Sequence, residues 1–340
     1  MSRRQARQAA PALSVLIPAL DEAAALPLLL ADLAAQRGIR IEVIVADGGS
    51  KDQTGSIARH HGACLLAAPR GRAAQLNAAA AAARADWLMC LHADTRVLAP
   101  DQLAEAMRLM RAAHCGGVVA GHWPLRFLRS QPGHGALFRQ LEAKSASNRP
   151  GTVNGDQGLL IHAETLKALG GFDESLPFFE DQRLAAKVFA QGRFLLLPGR
   201  LHTAARRFET EGHAPRMVLM ALIVGAEAAG LDDWLASLPA LYREQSATTR
   251  LRLAPFVNSL LGHIAALPRA RQREVWQRAG RLVAANAWQL AQWRDAQRED
   301  GRWLAHFDAV LAPLFATRFA SRGIAAALPL ALRLIAYRSG

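Results

Sequence analysis

Residues 41–54 read IEVIVADGGSKDQT. Seven residues rich in β-branched side chains end on a carboxylate, Asp47, which is followed at once by two glycines and a serine. So apolar a run, closed by turn residues, predicts a strand buried on both faces rather than one with a wet side. Asp52 then stands where it can cap a helix reaching His61. The same pattern continues outward in both directions. Upstream, residues 13–18 (LSVLIP) are a second buried strand, followed by a helical pattern from about 22 to 36. Downstream come a strand at 64–68, a helix at 71–83 and a strand at 86–92 (DWLMCLH). Short apolar strands separated by helices predict an α/β fold with a mainly parallel central sheet covered on both faces.

Beyond about residue 116 the rhythm loosens. Residues 117–125 and 158–162 read as strands flanking a stretch at 130–155 that contains glycine, proline and serine. A helix at 180–191 and a strand at 193–197 follow. From about 213 onward only helical patterns remain, with breaks expected at Pro239, Pro255, Pro268, Pro313 and Pro329. The expected organisation is a flexible N-terminus at 1–11, an α/β domain at 12–240 and an all-helical basic region at 241–340.

The charge supports that division. The net charge is +13. Residues 241–340 hold 15 Arg, no Lys and 6 acidic residues, and so supply +9 of it. Cys64, Cys90 and Cys115 form no CxxC pair, which excludes a disulfide framework or a zinc site as the basis of the fold. The basic N-terminus runs into Asp21 and Glu22 after a short apolar stretch, unlike a signal peptide. No sequence run reaches the ~18 uninterrupted apolar residues of a membrane span, so a cytoplasmic location is expected.

Ligands of open α/β sheets bind beyond the carboxyl ends of the strands. Two strands end there in acidic loops, Asp47 in ADGGS and Asp94 in HADT. A carboxylate followed by glycines suits a base or ribose, which needs an acceptor and close backbone approach. The loop by itself leaves a plain turn equally open. Asp94 suits a divalent cation shared with diphosphate oxygens. His92 either touches that cation's surroundings or merely ends the strand. Glu180 and Asp181 open a helix after Pro177-Phe178-Phe179. There the helix dipole stabilises one carboxylate, and an apolar wall would raise the pKa of a general base. The turn after the first strand has no glycine, so the dinucleotide fingerprint is absent, and no P-loop is present.

The ordered motifs PALDEA, DGGSKDQT, GRAAQLNAAA, LHADT, GDQ, FFEDQRL and TAARRFE resemble those of family 2 glycosyltransferases of the GT-A fold. The likeness is to a bacterial branch reading DGGS, LHADT, GDQ and ED, and spans about 12–235. The resemblance implies a nucleotide-diphosphate sugar donor. Asp47 would contact the base, and Pro18, Ala19 and Glu22 would line the same pocket. Gly71 and Arg72 would face the phosphates, with Ala93 and Asp94 against the donor. Asp94 matches the last, metal-binding aspartate of a DxD motif whose first position here is His92, and it implies a Mn2+ or Mg2+ cofactor. Asp181 matches the catalytic base, with Glu180 beside it. Gly155, Asp156 and Gln157 lie in the acceptor region. Arg206 and Arg207 resemble a basic pair near the diphosphate.

Together these imply an inverting transfer in which Asp181 deprotonates an acceptor hydroxyl while the cation neutralises the leaving diphosphate. A non-catalytic nucleotide-sugar-binding protein and a metal-dependent nucleotidyltransferase are the alternatives on such a scaffold. No nucleic-acid module is visible despite the charge. The acceptor is unspecified, a lipid-linked one included. The basic tail is expected to meet an anionic membrane surface, the alternatives being helices that pack on the catalytic domain or form a homodimer. Residues 323–336 supply an apolar stretch, too short to span, that suits the plane of an interface.

Overall fold

The computed structural model describes residues 10–130, 132–244, 250–298 and 300–339. All but the end of the N-terminal segment expected at 1–11 therefore lies outside the described residues. The chain forms two compact units: residues up to 128 with 144–204, and residues 129–143 with 205–340. The boundary read near 240 falls inside a helix of the second unit, Asp232–Glu244.

Among its described residues the first unit holds nine strands: β1 Leu13–Ala19, β2 Ile41–Asp47, β3 Cys64–Ala67, β4 Trp87–Cys90, β5 Val118–His122, β6 Leu125–Leu128, β7 Leu159–His162, β8 Gly192–Leu196 and β9 Leu201–Ala204. Between them run α1 Leu26–Ala34, α2 Thr54–His60, α3 Arg72–Ala82 and α4 Gln102–Ala113. Helix α5, Gly135–Ser145, follows β6, then come α6 Ala163–Ala168 and α7 Glu180–Gln191. Seven strands form one sheet in the order β3-β2-β1-β4-β7-β5-β8. Strands β1 to β4 are parallel, β7 runs against both β4 and β5, and β8 is parallel to β5. Strands β6 and β9 make a separate parallel pair. This is the GT-A α/β fold.

Strand β1 shows why the sheet must be covered twice. Leu13, Val15 and Ile17 pack into one apolar layer with Leu26, Leu29, Leu33, Leu103 and Met107 of α1 and α4. Leu16 points the other way, into a layer with Ala73 and Leu76 of α3, Leu166 of α6 and Leu184 of α7. Period-two alternation sends successive side chains to opposite faces, so a strand apolar at both parities needs helices on both.

The expected strands and helices recur with shifted ends. Asp52 does not cap α2: Gln53 holds that position, while Asp52 accepts from the Thr54 and Ala23 amides and so ties two loops together. The stretch at 117–125 is two strands, β5 and the start of β6, because Trp123 turns away to bond Gln157 through its backbone. The stretch at 130–155 contains a helix, α5, that its glycine, proline and serine content disguised.

The second unit is helical. It contains α5 up to residue 143, then α8 Arg206–Glu211, α9 His213–Ala229, α10 Asp232–Glu244, α11 Ala254–Ala266 and α12 Arg269–Ala285. It ends with α13 Trp288–Arg298, α14 Arg302–His306, a π-turn at Phe307–Leu311, α15 Ala312–Phe315 and α16 Arg318–Ser339. Pro255 and Pro313 sit in first helical turns and Pro268 just before α12, where proline costs little. Pro239 and Pro329 lie inside α10 and α16 and do not break them. Helix α16 is therefore longer than the apolar stretch at 323–336. Within Arg318–Arg338 an 18-residue window reaches a mean hydropathy of 1.4, enough by length and composition alone to cross a membrane.

Strand β8 begins on Gly192, opposite Val118 of β5. A Cβ there would lie 1.9 Å from the Val118 carbonyl oxygen, so the ladder closes only around glycine. Gly192→Ala is expected to lower the unfolding free energy by about 2 kcal/mol or more, read from the denaturant midpoint.

Candidate active site

Because β1, β2 and β4 are parallel, their carboxyl ends reach one edge of the sheet. Strand β7 is antiparallel to β4, and Leu159 pairs with Cys90. The turn that precedes β7, Gly155–Gln157, is thereby delivered to the same edge. Three acidic or polar loops and the GDQ turn meet there by topology alone.

The β1 and β2 loops are laced together. Gly48 N–H donates to the Ala19 carbonyl, and the Glu22 N–H donates to Thr54 Oγ1 at 2.8 Å. Asp21, at φ 56°, accepts from the Lys51 amide. Asp47 accepts from the Ser50 amide and hydroxyl through Oδ1. Its Oδ1 thus shapes the turn, and its Oδ2 is not used in those bonds. The turn reading of this loop is thus met, with Oδ2 left outside the turn's own bonds. Gln75 of α3, 3% exposed, donates to the carbonyls of Ala19 and Ala46 and pins the two strand ends. Pro18 lines a small pocket of roughly 30 Å3 beneath the site, with Leu76, His92, Phe172 and Leu184.

The charged centre lies beside these loops. Gly71, at φ 134°, ends the loop before α3 and lets Arg72 open the helix. The Arg72 guanidinium meets Glu180 at 3.1 Å and His92 Nε2 at 3.3 Å. His92 Nδ1 faces Asp156 Oδ1 at 2.8 Å. Burial disfavours the imidazolium and Arg72 opposes it. The hydrogen bond and charge of Asp156, with Asp181 behind, still hold the His92 pKa above its ordinary value. His92 is thus committed to neighbours on both nitrogens and does more than end the strand.

Glu180 is 2% exposed, and burial raises its pKa. Arg72 works against that rise and Asp181 adds to it. The tuned, desolvated carboxyl expected of this pair is Glu180, and its work is to hold Arg72. Asp181 is half-buried. Its Oδ2 accepts from the Gly155 amide and its Oδ1 from the Gln182 amide at 2.7 Å. Each oxygen keeps a lone pair for an acceptor hydroxyl.

Gly155 is where the GDQ turn touches this centre. A Cβ on it would lie 2.6 Å from His92 Nε2 and 3.1 Å from Asp181 Oδ2. Asp156 is the partner of His92. Gln157 is 1% exposed and bonds the Thr152 carbonyl, so it secures the turn from inside. Ala93 is buried under the next turn, closed by Thr95 N–H on the His92 carbonyl. Asp94 on that turn is half-buried and has no hydrogen bond or ion pair among the described residues.

No group of three or more His, Cys, Asp or Glu that could hold a metal occurs among the described residues. Among the described residues of the strand-end loops, Asp94 offers a cation an uncommitted carboxylate. That fits a hard cation whose other ligands are diphosphate oxygens and water, as Mg2+ and Mn2+ prefer. It does not fit a prebuilt protein cage. Arg206 and Arg207 are exposed at the start of α8 in the second unit, where Arg207 acts on Tyr242.

Two further residues hold the approach to α7. Asn77 of α3 bonds both the amide and the carbonyl of Phe172, and also Glu174. Asp173 accepts from Ser175 and from Arg183 at 2.7 Å. Gln75 and Asn77 both stand in the GRAAQLN motif. Their role could not be read because each bonds backbone far away in sequence.

Residues 14–144 match the family model for glycosyl transferase family 2. No curated protein matches the chain. Among solved structures it is similar to S. aureus TarS, with 17% identity over 84% of this chain and 55% of that one, at a TM-score of 0.46. The chain thus spans about half the length of TarS. It is also similar to S. aureus TarS 1–349 in complex with UDP-GlcNAc (18% identity, 84% and 90% covered, TM-score 0.47). A third likeness is to the mannosyltransferase PcManGT from Pyrobaculum calidifontis in complex with GDP-Man and Mn2+ (20%, 93% and 87%, 0.47). The fold is that of a GT-A protein. Its first four strands and the loops at their ends, Asp47 and Asp94 included, lie within the segment that matches glycosyl transferase family 2.

Hydrogen bonds from Ser175 and Arg183 hold the Asp173 carboxyl down at about 2, against an ordinary 3.8. A depressed carboxylate stabilises the fold above its unfolded pKa and loses that contribution as pH falls through the folded one. Solvent screening trims the contribution to on the order of 1 kcal/mol. Asp173→Asn is expected to be less stable than wild type above pH 3.8, with the difference closing as pH falls toward about 2. Urea melts across that range read it directly.

Proposed function

We propose that the protein is a glycosyltransferase. It moves a sugar from a nucleoside-diphosphate sugar to an acceptor hydroxyl, with inversion at the anomeric carbon. The observation that carries this reading is the setting of Asp181. Its two oxygens are oriented by the Gly155 and Gln182 amides, at the sheet edge that also presents Asp47 and Asp94. The match of residues 14–144 to glycosyl transferase family 2 supports the same chemistry.

In this reading Asp47 and the β1 loop at Pro18, Ala19 and Glu22 hold the nucleoside. Gly71 and Arg72 face the phosphates, with Glu180 keeping the guanidinium in place. Asp94 holds the divalent cation, which when bound offsets charge on the departing diphosphate. Asp181 takes the acceptor proton as the acceptor oxygen attacks the anomeric carbon from the face opposite the leaving group. One base and one displacement give inversion. Binding both substrates in line supplies much of the remaining rate.

Asp181→Asn keeps the shape of the side chain and removes the base. The expected outcome is near-normal donor affinity by calorimetry and transfer lowered by ~10²-fold or more. Equal loss of donor affinity, or a product with retained configuration, would sink the assignment. For Asp94→Ala the expectation differs. Nucleoside diphosphate binding, titrated with and without manganese, should lose its metal dependence. Metal-enhanced binding undiminished in the variant would remove Asp94 from this role.

A further inference from the structure

Helix α16 has two apolar faces, and only one is used. Ile324, Ala325, Leu328 and Leu332 face inward. The helix packs on α12 and α11 of the same unit, so tightly that a Cβ on Gly280 would lie 2.3 Å from the Ser321 carbonyl oxygen. The opposite face carries Phe319, Leu330, Leu334 and Tyr337, exposed by 88%, 64%, 53% and 87%, with Leu314 just before it at 59%. Gly323 and Ala326 complete the row between Phe319 and Leu330, at spacings of three and four residues. Those spacings keep the row on one side of the helix over a length of roughly 27 Å. An apolar row this long, left open to solvent, marks an interaction surface.

The flanking charge chooses the occupant. Arg318, Arg322, Arg333 and Arg338 are all exposed on the same helix. From Ala309 to the last residue the sequence has no acidic side chain. Two copies meeting antiparallel through this row would bring arginines against arginines with nothing to neutralise them. An anionic lipid surface offers the opposite sign along the whole row and an apolar layer for the aromatic and leucine side chains. Spanning is opposed by the inner face, which packs on α12, a helix whose sequence RARQREVWQR is too charged to enter the acyl layer with it. The geometry of α16 points to a helix that lies in the plane of an anionic membrane surface, with Phe319, Leu330, Leu334 and Tyr337 in the interface. This inference stands apart from the proposed chemistry.

The test uses the full chain with vesicles of phosphatidylglycerol and phosphatidylcholine, and with phosphatidylcholine alone, in a sedimentation assay. Wild type is expected to bind the anionic vesicles at least tenfold more strongly than the neutral ones, and to release as salt rises. Phe319→Glu/Tyr337→Glu, which alters the two most exposed side chains, should lower anionic binding at least tenfold while thermal melting stays unchanged. Leu330→Glu provides an independent variant of the same row. Absence of wild-type binding, or equal binding by both variants, overturns the inference. So does a concentration-dependent dimer in analytical ultracentrifugation that these variants abolish, since the row would then be a self-interface.

Discussion

The site depends on a contact distance. Gly155 passes so close to His92 and Asp181 that no side chain fits at its position. The backbone amide can therefore reach the Asp181 carboxylate directly. That approach exists only because β7 runs antiparallel to β4 and sends the preceding turn back to the edge where the parallel strands end. One reversed strand converts a row of loops into an enclosed centre.

Electrostatics then divides the charged side chains into those that hold and those that act. Arg72 with Glu180 and His92 with Asp156 satisfy one another. Buried charge is tolerable when it is paired, and a removed partner leaves the other exposed to the full desolvation cost. Asp181 is oriented by two amides without being neutralised by a cation. Asp94 has no protein partner among the described residues. Asp94 and Asp181 thus remain open to chemistry beside a frame of paired charges.

The second unit obeys different physics. Its helices are capped and joined by long polar side chains, as where Arg271 bonds the carbonyls that end α9 and buried Asp295 accepts from the first amides of α14. Arginine suits this work because its planar fork reaches several carbonyls at once. Its abundance here is partly structural, while the exposed arginines of α16 stand beside an open apolar row.

What the sequence determined by itself was local. The β-branched runs at 13–18 and 41–47 had to be buried strands, since no polar parity was left to face water. Asp47, Asp94, Glu180 and Asp181 were visible because each stands at the end of an element. The glycines at 48 and 49 were visible because a turn follows the strand there. The helix at 135–145 was hidden among turn formers. The breaks at Pro239 and Pro329 did not occur, because packing of the surrounding helix offsets a lost hydrogen bond that the local pattern counts as decisive. Only the tertiary structure decided that Glu180 is the desolvated partner of Arg72 and that His92 answers to Asp156. Only it decided that Gln75 and Asn77 fix backbone rather than face solvent, and that one face of α16 is left open. Those outcomes depend on distances between residues 28 to 108 positions apart, set by strand order and direction, which no periodicity along the chain records.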